Sequence, residues 1–120
     1  MAQHFTILIV EDDTAVRDVL IQILSEKGLG VLTAGDAYEA IRIITDRHVD
    51  LLFTDIIMPS MDGVQLAKQA KLMRPGIKVL FATGYAQKAV ERDAVRVGRV
   101  LYKPLRRDEV IRAVETALAA

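Results

Sequence analysis

Short apolar runs alternate with stretches of helical periodicity along the whole chain. Residues 5–10 are apolar and rich in β-branched side chains, and they stop abruptly at Glu11, Asp12 and Asp13. A strand buried on both faces ends this way on reaching the polar edge of a sheet. Val16, Leu20, Ile23 and Leu24 then recur at helical spacing, with Gly28 beyond them, which predicts an amphipathic helix and its stop. The pair of elements repeats. Residues 31–34 predict a second strand, and Ala37, Ala40, Ile41 and Ile44 a second helical stripe. A third strand over 51–54, continuing from Val49, closes on Asp55. After a loop over 56–62, Val64, Ala67, Ala70 and Met73 mark a third helix, stopped by Pro75 and Gly76. A fourth strand over 77–82, a weaker helix over 87–95 and a fifth strand over 99–102 follow. The last helix carries Val110, Ile111, Val114 and Leu118 on one face.

Five strands alternating with five helices through short loops predict an α/β fold, a doubly wound parallel sheet with helices on both faces. No linker, low-complexity tract or composition break divides the 120 residues, so residues 1–120 are expected to form a single domain. Composition narrows the function. Sixteen Lys and Arg balance sixteen Asp and Glu, and the longest basic run is the pair Arg106 and Arg107. That leaves no basic excess for releasing counterions from a nucleic acid. No apolar run approaches the ~18 residues of a membrane span, and the start lacks a basic leader, so neither a membrane nor secretion is expected. The absence of cysteine excludes disulfides, thiolate metal sites and cysteine nucleophiles and sits with a cytoplasmic location.

In doubly wound sheets the ligand site lies beyond the carboxyl ends of the strands, where the strand order reverses. The residues there are Glu11 and Asp12 after the first strand, Asp55 after the third, Thr83 after the fourth, and Lys103 with Pro104 after the fifth. If the first and third strands flank the reversal, three carboxylates meet in one crevice and repel one another unless a cation neutralises them. Oxygen ligands in small number suit Mg²⁺ together with phosphate oxygens. Lys103 adds a fixed cation and Thr83 a hydroxyl donor, a set suited to phosphoryl transfer, which is mostly positioning and charge neutralisation. Plainer roles fit other polar residues. Asp13 or Thr14 reads as the cap of the first helix. Met58-Pro59, Asp62-Gly63 and Lys103-Pro104 read as turn chemistry, Met58 and Met61 as packing, and Arg106, Arg107 and Arg112 as a solvated helix face. His4 and His48 need no role.

The runs Ile7-Leu8-Ile9-Val10-Glu11-Asp12-Asp13 and Thr54-Asp55-Ile56-Ile57-Met58-Pro59-Ser60-Met61-Asp62-Gly63, with Thr83 and Lys103-Pro104, resemble the receiver domain of bacterial two-component response regulators. The resemblance covers essentially the whole chain, in order. It implies a CheY-like sheet of order 2-1-3-4-5, with Asp55 accepting a phosphoryl group from a phosphohistidine of a sensor histidine kinase or phosphotransfer protein. It also implies Mg²⁺ held by Asp12, by Glu11 partly through water, by Asp55 and by the backbone carbonyl of Ile57. Thr83 and Lys103 would each meet a phosphoryl oxygen. Phosphorylation would shift the surface of helix four, strand five and helix five, a face through which a homodimer could form.

A narrower resemblance joins Phe81-Ala82-Thr83-Gly84-Tyr85 to the FATGY signature of a receiver subgroup, although Lys78 and Val79 stand where that subgroup carries Pro-Phe. Many receivers carry an aromatic switch residue three positions before the Lys. Here that residue is Val100, which leaves Tyr85 or Tyr102 as substitutes.

Because the chain ends one helix after the fifth strand, it is expected to carry no output domain. It is then either a complete single-domain regulator or a receiver from a hybrid kinase. A docking module that keeps the fold without phosphorylation is a further reading. An aspartate-nucleophile phosphatase would want an acid two residues after Asp55, where Ile57 stands. Turnover is therefore not expected beyond slow loss of the chain's own acyl phosphate. A flavodoxin-like nucleotide binder would want a Gly/Ser/Thr-rich loop where Glu11, Asp12 and Asp13 stand.

Overall fold

The computed structural model describes residues 4–84 and 87–120. The strands are β1 (Thr6–Val10), β2 (Gly30–Ala34), β3 (Leu51–Asp55), β4 (Lys78–Thr83) and β5 (Arg99–Tyr102). They alternate with helices α1 (Thr14–Glu26), α2 (Ala37–Asp46), α3 (Gly63–Met73), α4 (Lys88–Val97) and α5 (Arg107–Ala119). All strand pairs are parallel and the sheet order is β2-β1-β3-β4-β5.

The apolar runs serve two cores at once because strand side chains alternate between faces. Leu8, Val10, Leu52, Val79 and Phe81 point into the layer under α2, α3 and α4. Ile7, Ile9, Leu51, Phe53, Leu80 and Leu101 point into the layer under α1 and α5. Each fully buried Leu, Ile or Phe contributes roughly 1.5–3 kcal/mol relative to an exposed one. Most of each helix stripe read from spacing is buried, Leu20, Ile23 and Leu24 on α1, Ala37, Ala40 and Ile44 on α2, and Val110 and Val114 on α5, while Val16, Ile41, Ile111 and Leu118 are partly buried at the edges of the cores. Among the described residues, no helix is long and apolar enough to cross a membrane.

Several boundaries differ from the periodicity by one or two residues: β1 starts at Thr6, β2 at Gly30, β4 at Lys78 and α4 at Lys88, and two of the far ends shift for a visible reason. β4 runs one residue further than the apolar run, because the ladder continues from Asp55 opposite Ala82 to Thr83 opposite Tyr102. α4 extends to Val97, held by the Gly98 amide on the Ala94 carbonyl. Three of the five helix starts at the carboxyl edge of the sheet are fixed by aspartates, while α4 and α5 start at Gln87 and Arg106 without a side-chain cap. Asp13 caps α1 through Ala15 and Val16 amides, Asp36 caps α2 through Glu39, and Asp62 caps α3 through Gln65. These three carboxylates satisfy otherwise unpaired helix amides, which separates them from the carboxylates between β1 and β3.

Candidate functional site

The winding reverses between β1 and β3, so the loops after these neighbouring strands leave in opposite directions and open a crevice. Glu11 and Asp12 follow β1 and Asp55 ends β3, and one carboxylate oxygen of each lies within 4.8 Å of the others. Glu11 is 2% and Asp55 8% exposed, while Asp12 faces solvent. Lys103 enters from the β5–α5 loop. Its Nζ donates to Glu11 Oε1 at 2.7 Å and to Asp55 Oδ2 at 3.1 Å. Backbone amides supply the remaining donors, Asp13 to Glu11 Oε2 at 3.2 Å and Ile57 to Asp55 Oδ1 at 3.4 Å.

Main-chain bonds hold this arrangement to the sheet. The Glu11 amide donates to the Ala34 carbonyl at 3.2 Å, Ile56 to Ala82 at 3.0 Å, and Lys103 to Thr83 at 2.8 Å. The Lys103-Pro104 peptide is cis. Gly63, the first residue of α3, donates to the Ile56 carbonyl at 2.8 Å. Its Cα approaches so closely that an added Cβ would lie 2.0 Å from the Asp55 carbonyl oxygen.

Among the buried side-chain polar atoms of the described residues, Thr83 holds the one orphan. Its hydroxyl is buried and has no hydrogen-bond partner among the described residues. A buried hydroxyl left unpaired costs about 1–3 kcal/mol, so it marks a place where an acceptor oxygen belongs. The hydroxyl sits at the end of β4, one position beyond Ala82, the register partner of Asp55.

Burial raises the Glu11 carboxyl above the ordinary carboxylate range, and the Asp55 charge adds to this. The Lys103 hydrogen bond and the Asp13 amide oppose the rise without cancelling it. Burial alone would lower Lys103, but its hydrogen bonds and attraction to Glu11 and Asp55 outweigh that and raise it. A raised lysine contributes stability that is complete below its unfolded value of about 10.4 and is lost as pH rises through the folded value. A raised carboxyl works in the opposite sense, costing stability above its folded value and ceasing to do so as pH falls through it.

Lys103→Met therefore leaves two buried carboxylates without their cation. It is expected to cost about 2–3 kcal/mol at pH 7, somewhat below the value for a fully buried pair because the lysine side chain is 22% exposed. The loss should shrink as pH is lowered, because Glu11, already raised, takes up its proton sooner than an ordinary carboxylate. Urea unfolding at a series of pH values measures it, and a pH-independent loss would contradict the assignment.

The donor set fits a small hard cation. It is oxygen-only, it gathers three carboxylates where one lysine cannot balance them, and exposed Asp12 offers the way in. Few carboxylates with room for water and phosphate oxygens are what Mg²⁺ takes, whereas a dedicated Ca²⁺ cage needs six to eight oxygens.

Of the residues singled out by sequence, Glu11, Asp12, Asp55 and Lys103 come together, and Thr83 ends the adjoining strand. The Ile57 side chain stands 54% exposed just after Asp55, and Pro104 is exposed beside Lys103. Tyr102 projects from β5, and its hydroxyl donates to Glu91 of α4. Val100 packs against the α2–α3–α4 core. Tyr85 lies outside the described residues. Two positions escaped the sequence reading: Arg17, whose Nη1 donates to the Glu11 carbonyl at 3.4 Å, and Gly63, read only as part of a turn. A glycine opening a helix just after a capping aspartate was the available signal for Gly63.

The chain belongs to the response regulator receiver domain family, whose model matches residues 7–115. It is thus a receiver domain of two-component signalling. Over 116 residues it is 35% identical to the response regulator receiver protein CpdR of Brucella abortus (strain 2308), covering 95% of this chain and 97% of that one. It is 37% identical over 90 residues to the sensor kinase CckA of the same organism, covering 73% of this chain but 10% of that one. Among solved structures, a CheY-like response regulator receiver domain protein from Methanospirillum hungatei JF-1 superposes with a TM-score of 0.91 at 32% identity. That match covers 98% of this chain and 95% of that one. The chain therefore spans nearly all of CpdR and a small part of CckA.

Proposed function

We propose that residues 1–120 act as a single phosphoacceptor domain in the cytoplasm, in which Asp55 takes a phosphoryl group from a phosphohistidine of a sensor histidine kinase or phosphotransfer protein. An Asp55 carboxylate oxygen forms the new P–O bond as the P–N bond breaks, and the electron pair of that bond returns to the imidazole nitrogen. Lys103, already 3.1 Å from Asp55, neutralises charge on the transferred group. The Ile57 amide orients the attacking carboxylate through its contact with Oδ1. The carboxylates of Glu11, Asp12 and Asp55 and the Ile57 carbonyl would hold Mg²⁺, which when bound supplies charge neutralisation for phosphoryl oxygens. Ile57 offers no proton, which supports a stoichiometric acceptor rather than a turnover enzyme. Movement of Thr83 towards the new phosphoryl group would pass to β5 through the Lys103 amide on the Thr83 carbonyl, and so to the surface of α4, β5 and α5.

The observation that carries this reading is the buried Thr83 hydroxyl, unpartnered among the described residues, at the end of the strand next to Asp55, one position beyond Asp55's register partner Ala82. A phosphoryl oxygen would supply the missing acceptor. Thr83→Val removes the hydroxyl at nearly constant shape, so it is expected to stabilise the protein by about 1 kcal/mol. It should also slow metal-dependent phosphoryl incorporation from acetyl phosphate about tenfold, the value of one transition-state hydrogen bond of roughly 1.4 kcal/mol. Thr83→Ser should retain the rate. Intact-protein mass against time measures it, and wild-type incorporation by the valine variant would remove the hydroxyl from the mechanism.

A further inference from the structure

Asp12 differs from the other two carboxylates of the crevice. Lys103 Nζ reaches Glu11 and Asp55, whereas the exposed Asp12 carboxylate takes no hydrogen bond and no ion pair among the described residues. One of its oxygens nevertheless lies within 4.8 Å of an oxygen on each neighbour. Its place is therefore set by the backbone, and both peptide groups beside Asp12 are pinned. On one side the Asp13 amide donates to Glu11 Oε2 at 3.2 Å. On the other the Glu11 carbonyl accepts from Arg17 Nη1 at 3.4 Å. The Glu11 amide is tied in turn to the Ala34 carbonyl of β2 at 3.2 Å. The Arg17 guanidinium reaches the turn after β2 as well, where a Cβ added to Gly35 would come 3.8 Å from Nη1.

We infer that Arg17 is a positioning residue for the cation site: by holding the Glu11 carbonyl it fixes the peptide group before Asp12 and so aims the Asp12 carboxylate into the crevice. Stability of α1 does not account for this arginine. It stands one turn into the helix, near the end where the dipole opposes a positive charge. It is half-buried and has no ion-pair partner among the described residues. Resting on the reading of the crevice as a Mg²⁺ site, this role gives Arg17 no contact with the metal or with a phosphoryl group. The sign of its effect separates it from a plainer one. A guanidinium acting only as a nearby charge repels a dication, so its removal would tighten metal binding. A guanidinium that orients a ligand does the opposite, and groups that orient metal ligands are worth about ten- to a hundredfold in affinity.

The test compares the full wild-type chain with Arg17→Met and Arg17→Lys, using Mn²⁺ alone as the probe and no phosphoryl donor, with free Mn²⁺ read by electron paramagnetic resonance. Arg17→Met is expected to bind Mn²⁺ about tenfold more weakly than the wild type. Arg17→Lys keeps the charge and one donor for the Glu11 carbonyl, so it should recover most of that loss, and its milder change guards against misfolding. In two-dimensional amide NMR spectra of the metal-free proteins, the shifts caused by Arg17→Met should be confined to residues 11–17 and 34–36. Equal or tighter Mn²⁺ binding by Arg17→Met, binding by Arg17→Lys as weak as that of Arg17→Met, or shifts spread through β3, β4 and β5 would each overturn the proposal. A wild type that binds no Mn²⁺ would overturn the Mg²⁺ reading itself and the proposal with it, an outcome distinct from a wild type that binds and variants that bind equally well.

Discussion

Asp55→Asn is expected to abolish phosphoryl incorporation while leaving the fold intact. The amide keeps an oxygen to accept from the Ile57 amide, which reaches Asp55 Oδ1 at 3.4 Å, but an amide oxygen is a poor nucleophile and carries no charge. Lys103 keeps its stronger partner, Glu11 Oε1 at 2.7 Å. The crevice also loses one of three mutually repelling carboxylates, and the Asp55 charge is one of the causes that raise Glu11. Stability should therefore change by no more than about 1 kcal/mol, and in the stabilising direction where Lys103 remains paired. Incorporation from acetyl phosphate with Mg²⁺ should fall below detection, with a cooperative unfolding transition retained. Undiminished acid-labile phosphate on this variant would exclude Asp55 as the acceptor.

Gly63→Ala is expected to produce the largest loss of stability by a single methyl group in this chain. The added carbon would meet the Asp55 carbonyl oxygen at 2.0 Å and the Asp55 carbonyl carbon at 2.9 Å. These are backbone atoms of a fully buried strand and cannot swing aside as a side-chain tip would. Either α3 retreats, breaking the Gly63 amide bond to Ile56 and the Asp62 cap on Gln65, or the end of β3 shifts and carries Asp55 with it. Overpacking of this kind costs about 3 kcal/mol, and either movement should also reduce phosphoryl incorporation. Gly76→Ala is the control, since nothing lies within 4 Å of the new carbon there. Thermal melts of the two variants make the comparison, and similar melting temperatures would show that the contact at Gly63 is not constraining.

The architecture was legible because each strand is a short apolar run ended by a polar residue and each helix carries one apolar stripe. β3 reads cleanly from Leu51 to Asp55, since all five of its residues are buried. α4 was harder to place because Ala94 is its one fully buried residue. A helix so lightly buried leaves little periodic signal, and it packs against α3 and β5. The candidate site was legible as a set of chemical types at strand ends, where Glu11, Asp55 and Lys103 are out of place as core residues. Their pairing was not legible. Which carboxylate takes Lys103 at 2.7 Å depends on distances across 92 residues of chain. The solitude of the Thr83 hydroxyl depends on what every neighbouring strand fails to offer it. Gly63 stayed hidden for a similar reason, because its constraint is the proximity of another strand's backbone and not a torsion angle of its own turn.

The most direct test of the central claim is to locate the phosphoryl group. Wild-type protein is phosphorylated with acetyl phosphate in the presence of Mg²⁺, reduced with borohydride, which converts an acyl phosphate to an alcohol, and sequenced by mass spectrometry. Homoserine at position 55, in amounts that require Mg²⁺, is the predicted result. Reduction product at Glu11 or Asp12, or phosphoryl group on His4 or His48 with residue 55 unaltered, would contradict it.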